Sequence, residues 1–101
     1  YPTSNVVDAY DTSLTRTTPT ALSVGRFWFA ATTVGNYALF GGGYTDSASN
    51  VVDAYDTSLT RTTATPLSVA RYDLAATTVG NYALFGGGNP TSDVVEAYHV
   101  F

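Results

Sequence analysis

Few side chains in this 101-residue chain could do chemistry. His99 is the only histidine and there is no cysteine, which excludes thiol nucleophiles, disulfides and zinc-thiolate sites. With a single histidine, the sequence offers almost no residues from which a Ser-His-Asp triad or a histidine metal site could be built. The aspartates recur with the surrounding sequence, and a repeated carboxylate more often caps a turn than performs acid-base catalysis; they are Asp8, Asp11, Asp53 and Asp56. We therefore predict no enzyme activity, no catalytic residues, no metal site and no cofactor.

The glycine run Gly41, Gly42 and Gly43 is the other feature with a chemical interpretation. Glycine-rich loops cradle phosphate groups, but the phosphate-binding loop ends in Gly-Lys-Ser/Thr and leads into a helix. Here the run is followed by Tyr44 and Thr45. We therefore interpret the three glycines as structural.

The composition of the chain excludes several classes of protein and of binding partner. Hydrophobic residues make up 45% of the chain and charged residues 12%, which is typical of a compact β-rich protein rather than a disordered one. The net charge of -4 offers no basic surface for nucleic acid or for an anionic membrane. No apolar run reaches the length of a membrane span. We expect neither a nucleic-acid nor a membrane partner, and nothing in the sequence indicates a compartment.

An internal repeat with a period of 45 residues organises the chain. Residues 6–18 (VVDAYDTSLTRTT) recur unchanged as residues 51–63, and residues 30–43 (AATTVGNYALFGGG) recur as residues 75–88. A third, partial copy is SDVVEAY at residues 92–98. β-Branched and aromatic residues separated by Gly and Asn predict strands. One period accommodates four of them, at residues 26–34, 36–40, 51–56 and 60–65, with turns at Gly35-Asn36 and Asp56-Thr57-Ser58.

The repeat resembles the kelch motif. The resemblance is carried by YALFGGG at residues 37–43, by VVDAYD at residues 51–56 and by PLSVAR at residues 66–71. The tryptophan that usually begins the fourth kelch strand is missing, since Leu59, Thr60 and Arg61 stand there.

This resemblance implies an all-β fold, a β-propeller built of four-stranded antiparallel blades with two blades per chain. Residues 1–25 would supply strands three and four of a partial blade, residues 26–65 a full blade and residues 71–101 strands one to three. The glycines would be the close-packed end of the second strand, where a side chain would obstruct a neighbour. Phe40 and Phe85 would be buried between adjacent blades.

The copies differ only on or beside two kinds of connection between strands: the one from strand two to strand three, and the one from strand four to strand one of the next repeat. Both kinds lie on one face of an up-and-down sheet. We expect Trp28, Tyr44, Asp73 and Asn89 at this rim, and Asn36 and Asn81 at the opposite one. The variable rim is either a ligand surface carried by loops on a rigid frame or the product of drift or editing without a function. The candidate ligand-binding residues are Arg26, Phe27, Trp28, Tyr44, Arg71, Asp73 and Asn89.

Two of these candidates have structural alternatives. An exposed Trp28 between Phe27 and Phe29 would suit sugar rings, peptides or a partner chain, or the three aromatics could fill a gap between blades. Arg26 and Arg71 could engage an acidic ligand, or their stems could pack between blades with each guanidinium on backbone carbonyls.

The sequence thus predicts a non-enzymatic binding or assembly module that displays a variable loop face on a repetitive propeller frame, with a glycan or a peptide as ligand. The alternatives are a purely structural or designed self-assembling repeat protein without a ligand, and a fragment of a larger kelch-type sugar-active enzyme.

A homo-oligomer is also expected, because two blades cannot curve into a ring. Three chains would give six blades and four chains would give eight. The chain carries one third strand more than two blades need, so the amino and carboxyl strands of neighbouring chains would compete for, or share, one blade.

Overall fold

Residues 3–100 are described by a computed structural model, and they form an all-β fold. Their strands make three separate antiparallel sheets of two, four and three strands. These residues contain no helix, and therefore none that is long and apolar enough to cross a membrane. We call the three sheets the N-terminal hairpin, the central sheet and the C-terminal sheet.

Strands follow one another in each sheet in chain order, so every neighbouring pair is antiparallel. The N-terminal hairpin pairs β1 (Ala9–Tyr10) with β2 (Arg16–Thr17). The central sheet consists of β3 (Ala30–Val34), β4 (Tyr37–Gly41), β5 (Val52–Tyr55) and β6 (Arg61–Thr63). The C-terminal sheet consists of β7 (Ala75–Val79), β8 (Tyr82–Gly86) and β9 (Val95–His99).

Two turns repeat with the sequence and set the register of the strands. Between β3 and β4, Gly35 has a φ of +53°, a left-handed conformation that glycine adopts without a steric penalty. Between β5 and β6, Asp56 Oδ1 accepts backbone hydrogen bonds from Ser58 (2.9 Å) and Thr60 (3.0 Å). Asp11 makes the same pair of bonds in the N-terminal hairpin. The predicted role of Asp11 and Asp56 as turn caps is confirmed.

The first strand of the repeat is shorter than the sequence predicts. A strand was expected over residues 26–34, but β3 begins at Ala30. Trp28 has a φ of 58°, which interrupts the extended backbone, and Asp73 has a φ of 56° at the equivalent position before β7. The other three strands of the central sheet agree with the prediction to within one or two residues at each end.

The central and C-terminal sheets pack face to face around Phe85, which is 0% exposed. A Cβ atom added to Gly41 would lie 2.8 Å from the Phe85 ring, so this glycine is required by the close approach of the two sheets. The predicted burial of Phe85 and the predicted close packing at Gly41 are confirmed. Phe40 is only partly buried, its ring contacting Phe29 and Tyr55 of its own repeat, so its predicted burial between two sheets is wrong for this chain.

Candidate ligand-binding surface

Four aromatic side chains meet where the central sheet joins the C-terminal sheet, and we call them the junction cluster: Phe27, Trp28, Tyr44 and Tyr72. The Trp28 and Tyr72 rings are stacked, with centroids 5.4 Å apart and an interplanar angle of 25°. Tyr44 meets Tyr72 edge-on at 5.0 Å, and Phe27 meets Trp28 edge-on at 4.7 Å. Trp28 nevertheless remains 42% exposed, so the cluster presents part of an indole to solvent.

Backbone hydrogen bonds hold the junction cluster in place. Phe27 and Tyr44 exchange two such bonds, of 3.1 Å and 2.8 Å. Tyr72 and Asn89 exchange the equivalent pair one repeat later, at 2.9 Å and 2.7 Å. The left-handed backbone at Trp28 lets its carbonyl accept a 2.8 Å hydrogen bond from the N–H of Asp73. The cluster is therefore fixed by main chain from both repeats.

The structure brings five of the sequence-predicted site residues to one side of the molecule. Phe27, Trp28 and Tyr44 belong to the junction cluster, and Asp73 and Asn89 are exposed and bonded to its backbone. Asn36 and Asn81 lie in the turns at the other ends of β3 and β7, so the strands separate them from this side.

The two arginines do not belong to the exposed surface. Arg26 is 1% exposed and Arg71 is 0% exposed. Arg26 Nη2 donates to the carbonyl of Phe40 at 2.9 Å, and Arg71 Nη2 donates to that of Phe85 at 3.1 Å. Both guanidinium groups thus bond to backbone carbonyls inside the protein, as the structural alternative describes, and neither lies on the exposed surface with the other predicted site residues.

Each arginine also pairs with a carboxylate from the third strand of its own sheet. Arg26 Nη1 lies 3.2 Å from Asp53 Oδ2, and Arg71 pairs with Glu96. Asp53 is thus structural, but it forms a buried ion pair and does not cap a turn as its repetition suggested. The hydrogen bond from Arg71 lowers the pKa of Glu96 from 4.5 to about 2, against the opposing effect of burial.

Tyr72 was absent from the sequence-predicted site, although it supplies the stacking partner of Trp28. Its signal was present, because Tyr72 replaces Phe27 between the two copies and lies beside the Trp28/Asp73 difference. The acidic partner of each arginine was also missed. There the signal was the replacement of Asp53 by Glu96 in the third copy, which keeps the carboxylate.

No protein-family model matches this sequence, and no curated protein matches it significantly.

Proposed function

We propose that the chain is a non-enzymatic binding module, part of a kelch-type β-propeller, and that the junction cluster is its ligand-contacting surface. The observation that carries the proposal is the position of Trp28. This residue differs between the repeats, stacks on Tyr72 and still exposes 42% of its surface. A large aromatic held rigidly and only partly covered is a typical recognition element.

Two features support the propeller assignment. The central sheet has four antiparallel strands in chain order, which is the composition of a propeller blade. The next sheet packs against it face to face, with β7 beside β3, so the first strand of one repeat adjoins the first strand of the next. Radial arrangement of sheets with adjoining first strands is what a propeller requires.

The chemistry of the cluster favours an uncharged ring as ligand. Trp28 offers an aromatic face, while the Tyr44 and Tyr72 hydroxyls and the Asn89 amide are hydrogen-bonding groups nearby. An acidic ligand is disfavoured because Arg26 and Arg71 are buried and Asp73 carries a negative charge. Pyranose rings, and peptides with an aromatic or proline side chain, fit these groups.

A glycan array and a peptide array test the proposal. Trp28→Ala and Trp28→Asp should abolish binding that the unmodified protein shows. Trp28→Asp is the better variant, because Asp73 occupies the equivalent position at nearly the same φ, so the backbone is preserved. Tyr82→Ala is the control, since this exposed tyrosine lies at the far end of β8.

Binding that survives both Trp28 substitutions would disprove the role of the junction cluster.

A second candidate function is favoured by the same stacking geometry. The Trp28 and Tyr72 rings join the segments that precede β3 and β7, and such a contact also suits a repeat protein that serves only as a scaffold. Two arrays without any reproducible ligand would support the scaffold.

A further inference from the structure

The outer face of the C-terminal sheet carries an open cavity of ≈ 250 Å³. It is apolar apart from one threonine hydroxyl, and Gly86 lies in it. We call this surface the Gly86 face, and it consists of Ala75, Ala76, Thr77, Leu84, Gly86 and Val95.

The central sheet carries the same six residue types at the equivalent positions: Ala30, Ala31, Thr32, Leu39, Gly41 and Val52. Leu39 and Gly41 are buried there, whereas Leu84 and Gly86 are only partly buried. Gly41 receives the ring of Phe85, and Val52 is 0% exposed. Val95, which pairs with Gly86 as Val52 pairs with Gly41, is 63% exposed. The interface within this chain therefore shows what fits an identical, uncovered surface.

The surface that would fit is present at the other end of the chain. We call it the Phe40 face: Phe29, Ala38 and Phe40. Their counterparts Leu74, Ala83 and Phe85 form the C-terminal half of the internal interface and are buried. Phe29 is exposed, whereas Ala38 and Phe40 are only partly buried. One molecule thus carries a second copy of each half of its own interface, and both copies are less buried than the halves that meet inside the chain.

We propose that the Gly86 face binds the Phe40 face of a second copy of this chain, with Phe40 placed against Gly86 as Phe85 is placed against Gly41. The backbone would add a hydrogen bond. Gly43 donates at 2.9 Å to the carbonyl of Arg71, so Gly88 is positioned to donate to the carbonyl of Arg26 in the second copy. Because the two faces differ, the contact is head-to-tail and can be repeated around an axis.

In the docked pair, one segment from each copy would compete for the same backbone hydrogen bonds to Arg26 and Leu22. Ser4 and Asn5 bond to Arg26 and Leu22 as Ser49 and Asn50 bond to Arg71 and Leu67. In the docked pair, the segment that leads into β9 of the first copy, Ser92 and Asp93, reaches the position of Ser4 and Asn5 in the second. The N-terminal hairpin of the second copy gives way, because it pairs over two residues. In contrast, β9 pairs with β8 over five residues and is anchored by the Glu96 pair with Arg71.

Native mass spectrometry and sedimentation over a wide concentration range test the proposal. The unmodified chain should form species larger than a monomer as its concentration rises. Phe40→Ala removes the ring that would be inserted, and Gly86→Val fills the space at Gly86 that would receive it. The added Cβ at Gly86 would meet Val95 at 3.4 Å, an ordinary contact, so this variant should fold. Each variant alone should remain a monomer.

Mixing the two variants makes the test directional. Phe40→Ala keeps an intact Gly86 face and Gly86→Val keeps an intact Phe40 face, so an equimolar mixture should form a dimer and nothing larger. Val95→Asp, at an exposed position, is a second way to block the Gly86 face should Gly86→Val misfold.

Three results would each overturn the proposal: a chain that stays monomeric at every concentration, variants that associate like the unmodified chain, or a mixture that stays monomeric. The outcome does not depend on any ligand of the junction cluster, since neither face contains Trp28 or Tyr72. The arrays and the mass measurements can therefore fail separately.

Discussion

Arg26 and Asp53 form an ion pair with an N–O distance of 3.2 Å, and neither side chain is exposed to solvent. Asp53 Oδ2 also accepts a hydrogen bond from the backbone of Ser23 at 3.1 Å. The pair therefore ties the link before β3 to the third strand of the same sheet. Arg71 and Glu96 do the same in the C-terminal sheet, with Ser68 in the place of Ser23.

Removing one partner of the buried pair should be costly. Asp53→Ala would leave the Arg26 guanidinium charged and buried without its carboxylate, which typically costs about 3–5 kcal/mol. Asp8→Ala is the matched control, because Asp8 holds the equivalent repeat position and is exposed, so its change should stay within about 0.5 kcal/mol. Urea unfolding at low protein concentration measures both, and equal losses would contradict a structural role for the Arg26–Asp53 pair.

Two glycines with the same sequence context should respond differently to the same substitution. Gly41→Val forces atoms into the Phe85 ring and should lower the free energy of unfolding by about 1–3 kcal/mol, the usual cost of overpacking. The Cβ atom of Gly86→Val makes only an ordinary contact with Val95 in β9, at 3.4 Å, and valine favours strands, so this substitution should change the stability of the monomer little. A comparable loss of stability in both would show that strand geometry, and not the packed ring, requires glycine.

The equivalent phenylalanines should also differ in an isolated monomer. Phe85→Ala should cost about 3–5 kcal/mol, because it empties the centre of the interface between the two sheets. Phe40→Ala should cost clearly less, since its ring is already partly exposed. Thermal or urea unfolding of the two variants decides this, and an equal loss would mean that Phe40 is covered in solution.

Acid should weaken the C-terminal sheet through Glu96. The pKa of this carboxyl is about 2 in the folded protein against 4.5 as its ordinary value, so the folded state binds the proton less tightly than the unfolded state does. The resulting stability is complete above pH 4.5 and is lost as the pH falls toward 2. Glu96→Gln should flatten the pH dependence of the unfolding free energy in that window. Asp93→Asn, at an exposed position, is the control, and an unchanged slope in Glu96→Gln would exclude this ion pair as the cause.

The sequence by itself determined the local structure of this protein. The repeat located the strands, except that β3 begins at Ala30 and not at residue 26. The Asp56 and Gly35 turns followed from side-chain and backbone preferences that operate within a few residues. The sequence also indicated that residue 41 has to be glycine. The differences between the copies pointed to Trp28, Tyr44, Asp73 and Asn89. Because the chain contains the repeat twice, comparing the two copies shows which positions near the connecting loops vary while the strands stay the same.

Only the tertiary structure decided which identical residues are buried. Phe40 and Phe85 lie at the same position of the segment YALFGGG, yet Phe85 is fully buried against the facing sheet and Phe40 is only partly buried. The same holds for Val52 and Val95. Burial depends on which sheet lies opposite, a long-range property that local sequence does not encode. The burial of Arg26 and Arg71 also depends on long-range contacts. A guanidinium group can be buried only where a carboxylate from a strand distant in sequence compensates for its lost hydration.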